Sequence, residues 1–393
     1  MGSFTKALIV ILILLVTAYA AYRYAWHSGP YVLDRCESSQ TLRLYTFLPQ
    51  IEPFLQRFHL ERAGFDPRDL RGYFSARATG KTDLYGSADM VFILWILGEL
   101  ESRTTDSGRR EWVSVLQSFQ DPRTGLFEPG QAAAESTMHA TAFATAALEL
   151  LGSRPRHPHA WAEPLFAEPD AIRQWVDSFN WSQIWSGSHE LGAAAAIIDA
   201  PGGIDLPEEW ADWTLGALTE KLDHQTGFWK NGVFDRIWRA PTTIDLGGAA
   251  HFWWIYHHLG HPIPYPEKVI SNILALQRET GLWGTRLFNG AYPQGIDFDA
   301  LNGLRLAWLQ LPEEARSARR SQILAALDRY ACVADAHLNS EGSVERLFHT
   351  SHKLVGTLNA LAELDLLHRT LTGTPKLETP KPLRSALTEV AWQ

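Results

Sequence analysis

Residues 277–283 read QRETGLW, and two earlier stretches are similar to them: QDPRTGLF at 120–127 and LDHQTGFW at 222–229. Each contains Thr-Gly followed by an apolar and then an aromatic residue. The three glycines are 102 and 54 residues apart along the chain. The longer gap is close to two periods of about 50 residues, a length typical of helix–turn–helix repeats. The repeat therefore predicts an array or a closed ring of helical pairs.

Two kinds of helical pattern alternate between these motifs. One kind is apolar on all sides, as in buried helices, and occupies 87–100, 136–152, 188–199, 243–260, 296–311 and 349–367. The other is amphipathic and occupies 108–120, 170–179, 207–222, 265–277 and 313–336, with a first copy within 42–59. Six outer–inner pairs predict an all-α fold, an (α/α)6 toroid. An open solenoid is the alternative, but it needs polar terminal caps that the sequence does not display.

The Thr-Gly motif lies where an outer helix ends and the linker to an inner helix begins. We expect its glycine to provide a left-handed helix cap and its aromatic residue to fold back onto the helix pair. The motif therefore predicts architecture. The chemistry is expected where the long linkers enter the inner helices.

The N-terminal sequence indicates where the protein is located, and the composition indicates which partners it can bind. Lys6 precedes an apolar run over 7–16 and the small-x-small pattern Ala18-Tyr19-Ala20, so residues 1–26 are predicted to be a signal peptide or a membrane anchor. The toroid is expected over 27–372 and a C-terminal tail over 373–393. Both N-terminal alternatives place the bulk of the chain outside the cytoplasm. The net charge of −9, with no basic block, makes nucleic acid an unfavourable partner.

The two cysteines, Cys36 and Cys332, lie too far apart in sequence for a zinc motif. In an exported protein they form either one disulfide that joins the two ends of the domain or two separate thiols. The chain also contains no phosphate-binding loop, no HExxH and no Ser/His/Asp elbow. The sequence thus predicts neither a metal nor a cofactor.

QRETGLW also resembles the Gln-x-x-x-Gly-x-Trp repeats of squalene/terpene cyclases and protein prenyltransferase β subunits. The resemblance extends over roughly residues 108–311, and one of the three copies keeps both Gln and Trp. It implies the α/α-toroid fold, which six-hairpin glycosidases and polysaccharide lyases share. The acidic motif of the cyclases is incomplete here, because Asp297-Phe298-Asp299-Ala300 lacks its last Asp. The zinc ligands of the prenyltransferases have no counterpart.

Polar residues lie near the start of each inner helix, where the N-termini are expected to meet. Helix N-termini favour negative charge, so they stabilise carboxylates and anionic ligands. The candidate catalytic residues are Asp297, Asp299, His139, His189 and Asp245. The candidate substrate-binding residues are Tyr85, Asp89, Glu190, Arg236, Trp238, Tyr292, His349 and His352. For Asp89, Asp245 and Asp297 the simpler interpretation is helix capping. Asp299 lies one turn into its helix, so capping explains it less well. His251 is interpreted as structural.

Three functions are compatible with this pattern. The first is an exported enzyme that acts on a carbohydrate as a glycosidase, lyase or epimerase, in keeping with the 16 tryptophans and the Asp and His residues. The second is a cyclase-like enzyme in which an Asp protonates an apolar substrate. The third is a non-catalytic protein that binds envelope polysaccharide or lipid. These functions predict, respectively, facing carboxylates in a polar groove, one buried acid in a dry aromatic cavity, and no convergent polar cluster.

Overall fold

The computed structural model is mostly helical. It describes residues 12–18, 41–60, 65–77, 80–130, 136–200, 204, 206–230, 240–285 and 290–393. The α-helices of this part of the chain are α1 (12–18), α2 (Ile51–Phe58), α3 (Leu84–Ile96), α4 (Asp106–Gln117), α5 (Thr137–Leu150), α6 (Glu163–Phe166), α7 (Pro169–Ser178), α8 (Ile184–Asp199), α9 (Trp210–Glu220), α10 (Thr243–His258), α11 (Pro266–Leu276), α12 (Gly295–Leu309), α13 (Glu313–Leu338), α14 (Ser343–Leu347) and α15 (Ser351–Thr372). Short 3₁₀ helices cover Leu48–Gln50, Leu100–Ser102, Trp181–Gln183 and Ala386–Thr388. The prediction of an all-α fold is confirmed.

Six of these helices are buried on nearly every side: α3, α5, α8, α10, α12 and α15. In α3 only Trp95 is not buried, because apolar and small residues cover the whole circumference of the helix. In α8 four consecutive alanines, 193–196, are all buried. A helix of this composition hides its surface only when other helices surround it. We call these six the inner helices.

The inner helices contact one another in a cyclic order. Contacts join α3 to α5, α5 to α8, α8 to α10, α10 to α12, α12 to α15, and α15 back to α3. Each helix thus packs against the next one along the chain, and the last packs against the first.

The helices between them bury one face only. In α4 the buried residues are Gly108, Trp112 and Leu116, and in α7 they are Ile172 and Val176. A spacing of four residues places these side chains on one face, while the charged residues lie on the other. These helices match the amphipathic segments of the sequence to within a few residues.

The Thr-Gly motif forms a turn beyond the outer helix, so its glycine is not the helix cap that we expected. Helix α11 ends at Leu276, and Gly281 follows it with φ of 84°. The amide N–H of Gly281 donates to the carbonyl oxygen of Arg278 over 2.9 Å. The aromatic residues do fold back, because the indole N–H groups of Trp229 and Trp283 donate to carbonyl oxygens in the last turns of α9 and α11, each over 2.8 Å.

The segment after α15 is not a peripheral tail. Its strand β2 (Leu377–Glu378) pairs in parallel with β1 (Leu42–Arg43). The chain then passes the C-terminal end of α3, where the N–H of Arg384 donates to the Ile96 carbonyl oxygen over 2.9 Å. It ends among the inner helices, where Trp392 is only 1% exposed.

Two expectations about the chain ends fall partly outside the described residues. Helix α1 exposes its apolar side chains, such as Leu12 and Leu15, but most of the predicted signal or anchor is not described. None of the described helices combines the length and the apolar character needed to cross a membrane. Cys332 is disulfide-bonded, and Cys36, the other cysteine of the chain, lies outside the described residues.

Candidate functional site

A cavity of about 270 Å³ lies near the N-terminal ends of five inner helices and the middle of α10, so all six contribute to its lining. Each helix contributes at least one titratable side chain: Tyr85, His139, His189, His251, Asp299 and His352. Aromatic rings of Trp185, Trp254 and Phe298 complete much of the wall. Five of the residues that the sequence predicted, Tyr85, His139, His189, Asp299 and His352, are therefore brought together.

Glycines in α10 allow the neighbouring helix to approach closely enough to build this wall. A Cβ atom at Gly247 would overlap the indole ring of Trp185. A Cβ atom at Gly248 would lie 2.7 Å from Cγ1 of Ile184, closer than such atoms approach. The Gly-Gly pair at the start of α10 thus places α8 and its indole against the cavity.

Three histidines form a row along α5, α8 and α10. The ring centroids of His139 and His189 are 4.6 Å apart, and those of His189 and His251 are also 4.6 Å apart. Burial lowers the pKa of His189 to about 3 and lowers those of His139 and His251 well below the usual value. Nearby histidines lower the pKa values further. The row is therefore composed of neutral imidazoles at neutral pH.

The two ends of this row have hydroxyl partners. The Tyr85 hydroxyl and Nδ1 of His139 are 2.8 Å apart, and the Ser188 hydroxyl and Nδ1 of His251 are 2.9 Å apart. The Tyr85 ring stacks on Phe143, with centroids 5.4 Å apart. Tyr85 is thus held rigidly beside an imidazole with which it can exchange a proton.

Asp89 and His352 form an acid–imidazole pair. Oδ1 of Asp89 lies 2.9 Å from Nδ1 of His352, and the Ser351 hydroxyl donates to Oδ2. Asp89 is fully buried, whereas about a third of the His352 side chain is exposed. Burial raises the pKa of Asp89, and His352 and Ser351 oppose that rise. A carboxylate on Nδ1 fixes the orientation of the ring, so His352 would exchange a proton with a ligand through Nε2.

Asp299 is the carboxyl group that lines the cavity. It lies one turn into α12, is 4% exposed, and makes no hydrogen bond to another described residue. Burial raises its pKa well above the usual value, and Asp297 raises it further. The direction of this shift favours the protonated form, in which Asp299 can donate a hydrogen bond or a proton.

Two cationic side chains stand at the exposed side of the cavity. Arg77 and Lys353 both line it and are both exposed. The ammonium group of Lys353 donates to Oε1 of Gln294 over 2.9 Å, and partial burial lowers its pKa. These groups can bind an anionic substituent of a ligand.

The other predicted residues lie elsewhere. Asp297 and Asp245 close capping boxes at the starts of α12 and α10, with Gln294 and Thr242 respectively. Glu190, Tyr292 and His349 are outside the cavity lining. Arg236 and Trp238 lie outside the described residues.

Several residues that line the cavity, Arg77, Trp185, Trp254 and Lys353 among them, were not predicted from the sequence. His251 was interpreted as structural because it is the ninth residue of its helix, yet it lines the cavity. The signal that points to it is the run Gly247–Ala250, since small residues let neighbours approach. Gln393 also lines the cavity, and Trp392 packs beneath it, but the terminal segment carries no periodic pattern.

Among the described residues no group of three or more His, Cys, Asp and Glu side chains has a geometry that could hold a metal ion. No family model, no curated protein and no solved structure is significantly similar to this chain.

Proposed function

We propose that the chain is an (α/α)6-toroid enzyme that removes the proton next to the carboxylate of a uronic acid residue, as a lyase or an epimerase. The cyclic contacts of the six inner helices support the toroid. The cavity supports the chemistry, because an oriented imidazole, a buried tyrosine and a protonated carboxyl group line it together.

The pair Asp89–His352 carries this proposal. In the proposed reaction Nε2 of His352 takes the proton from C5 of the uronate ring, and the electron pair moves toward the carboxylate. Protonated Asp299 stabilises the developing charge by donating a hydrogen bond to the carboxylate oxygen, as neutral buried acids do. The Tyr85 and His352 rings are 5.2 Å apart between centroids, so both reach one sugar ring.

The step that follows removal of the C5 proton determines whether the reaction is an elimination or an epimerisation. In elimination the C4–O bond breaks, a C4=C5 double bond forms, and Tyr85 gives its hydroxyl proton to the leaving oxygen. After the product leaves, His352 releases to solvent the proton that it took from C5, and Tyr85 regains a proton from solvent. Neutral His139 keeps the Tyr85 hydroxyl oriented through their hydrogen bond. In epimerisation C5 instead regains a proton on the opposite face and no bond to C4 breaks. Both outcomes need the same base and the same neutralised carboxylate.

The charge around the cavity favours an anionic substrate. Arg77 and Lys353 supply positive charge, and the N-terminal turns of five inner helices, which carry positive dipole ends, contribute lining residues. A uronate carboxylate can interact with both the cationic side chains and the positive ends of the helices.

A glycosidase mechanism is less well supported. It needs two carboxyl groups about 5 to 9.5 Å apart on either side of the bond. Within the described residues Asp299 is the carboxyl side chain that lines the cavity, and Asp89 is engaged by His352 and Ser351.

Asp299 supports a second candidate function. A buried acid with no hydrogen bond to another described residue, among Trp185, Trp254 and Phe298, is suited to protonating an apolar polyene. The histidine row and the cations have no role in that chemistry, so we rank it second.

The location of the proposed enzyme is outside the cytoplasm, either secreted or held at the membrane. The disulfide at Cys332 supports this location, because disulfides persist in oxidising compartments. The exposed leucines of α1 are compatible with a signal peptide or an anchor.

The test is a panel of neutral glycans, oligouronides and polyenes against the purified protein. We expect turnover of an oligouronide, detected by ultraviolet absorbance of the C4=C5 product or by deuterium uptake at C5 in D₂O. His352→Gln should then lower kcat/KM by about 10² to 10⁴-fold, the usual contribution of a general base. His349→Gln is the matched control, because His349 is exposed and outside the cavity.

Three results would argue against the proposal. Full activity of His352→Gln would exclude its role as the base. Turnover of neutral glycans alone would exclude the anionic substrate. Cyclisation of a polyene that is lost in Asp299→Asn and kept in His352→Gln would establish the second candidate instead.

A further inference from the structure

The last residues of the chain run through the middle of the inner helices. At the end distant from the cavity, the Ser385 hydroxyl donates to Oε1 of Glu363 over 2.5 Å. The N–H of Ala386 then donates to Oδ1 of Asn359, one turn of α15 nearer the cavity, over 3.3 Å. The segment from 384 to 393 thus follows α15 toward its N-terminus and ends at the cavity.

Trp392 packs against the cavity wall from below. Its indole stacks on the His251 ring with centroids 5.1 Å apart and meets the edges of His139 and Trp254 at 5.7 and 5.5 Å. Helix α8 makes room for it with Gly192, where a Cβ atom would lie 3.0 Å from an indole carbon. Gln393 then lines the cavity itself.

We propose that residues 384–393 form the floor of the substrate cavity and that Trp392 restricts the enzyme to the terminal residue of a uronide chain. This inference rests on the proposed function and narrows its substrate to the terminal residues of uronide chains.

The restriction follows from the position of the reacting groups. Tyr85 is fully buried and Asp299 is 4% exposed, so a sugar ring must enter the cavity to reach them. A ring from the interior of a polymer continues in both directions and needs two openings. With the centre of the inner helices filled by the terminal segment, a terminal ring satisfies the geometry with one opening.

The test measures binding as a function of chain length. Mono-, di- and trigalacturonate are titrated calorimetrically into the full chain carrying His352→Gln, which blocks turnover. We expect the three dissociation constants to agree within about threefold, because one buried ring supplies most of the affinity. Adding Trp392→Ala should deepen the cavity and favour the dimer over the monomer by about tenfold. Trp392→Phe, the matched control, keeps an aromatic floor and should behave like Trp392.

The outcomes separate the two proposals. If no uronide binds or turns over, the proposed function fails and this inference fails with it. If uronides bind but affinity rises about tenfold with each added ring while Trp392 is in place, the inference alone is overturned. The comparison of chain lengths with Trp392 in place needs no Trp392 variant, so it tests the inference even if Trp392→Ala does not fold. Unchanged length dependence in a folded Trp392→Ala protein would also overturn it.

Discussion

Three aspartates near the starts of inner helices differ in what surrounds their carboxyl groups. Asp297 accepts backbone N–H groups of Trp283 and Gln294 over 2.8 and 2.9 Å, one on each oxygen. Asp245 accepts the N–H and hydroxyl of Thr242. Asp299 has no such donors in the part of the chain that the structure describes. A residue in the first turn of a helix can reach orphan N–H groups, whereas a residue one turn further cannot. The position of an aspartate within its helix therefore distinguishes the capping residues Asp297 and Asp245 from Asp299, which lines the cavity.

This difference predicts how Asp299→Asn changes stability with pH. Because burial raises the pKa of Asp299, the folded protein holds this proton more tightly than the unfolded chain. The contribution of Asp299 is then fully present in acid and decreases as the pH rises. Asn cannot ionise, so the free energy of unfolding of the variant should rise relative to that of the wild type between pH 5 and pH 8, by at most about 1.4 kcal/mol for each pH unit.

Urea unfolding at the two pH values measures this difference. A stability gap between the variant and the wild type that does not change from pH 5 to pH 8 would mean that Asp299 is ionised in the folded protein. It could then not act as a hydrogen-bond donor in the proposed site.

At the scale of elements, the Thr-Gly turn joins the outer helix to its inner partner in three of the pairs, α4–α5, α9–α10 and α11–α12. The Trp283 indole closes the last turn of α11, while its backbone N–H donates to Asp297 at the start of α12. The backbone N–H of Phe127 makes the equivalent contact with α5, where it donates to the Thr141 hydroxyl over 2.8 Å. Gln277 adds a bond from its side-chain amide to the Gly281 carbonyl oxygen. The motif is thus a structural joint.

Gly281 is the residue on which this joint depends. Its φ of 84° disfavours other residues, and a Cβ atom there would lie 2.8 Å from the Arg329 carbonyl oxygen. We expect Gly281→Ala to lose about 1 to 2 kcal/mol to the backbone conformation and about 1 to 3 kcal/mol more to overpacking. Gly260→Ala is the matched control, because Gly260 has φ of 73° with nothing within 4 Å. Equal losses in urea unfolding would contradict the steric part of this argument.

The sequence predicted the helices well because the composition of an inner helix indicates that the helix is buried. Runs such as 188–199 are apolar all round, and the structure places a buried helix, α8, over Ile184–Asp199. It predicted the residues of the first helical turns that line the cavity, such as His139. It did not predict His251, because the depth at which a helix crosses the cavity depends on packing with its neighbours.

At the scale of the whole molecule, the centre of the inner helices contains charge. Arg305 of α12 donates to Glu363 of α15 over 2.6 Å, and Asn302 and Ser385 donate to the same carboxylate. Both charged side chains are almost completely buried. Burial alone would raise the pKa of Glu363, but Arg305 and the other donors together lower it. No periodic pattern in the sequence could predict this cluster, since it joins two helices and the terminal segment.

Breaking this pair should be costly in a way that depends on pH. Arg305→Met leaves a buried carboxylate without its counterion, and we expect a loss of about 3 to 5 kcal/mol at pH 7. In the wild type the pKa of Glu363 is lowered, so its contribution is present above the unfolded pKa and is lost as the pH falls. In the variant, burial without Arg305 raises that pKa, and the folded state gains by binding a proton. The loss should therefore shrink when urea unfolding is repeated at pH 5.

Two variants make this measurement specific to the buried pair. Adding Glu363→Gln to Arg305→Met removes the unpaired charge, keeps an acceptor for Ser385 and Asn302, and should recover more than half of the lost stability. Arg173→Met is the control, because the ion pair of Arg173 with Glu220 has both side chains more than half exposed and such pairs contribute about 0 to 1 kcal/mol. A loss for Arg305→Met that matches the control, or that does not change with pH, would mean that water reaches Glu363. The terminal segment would then not seal the centre of the molecule beneath the cavity.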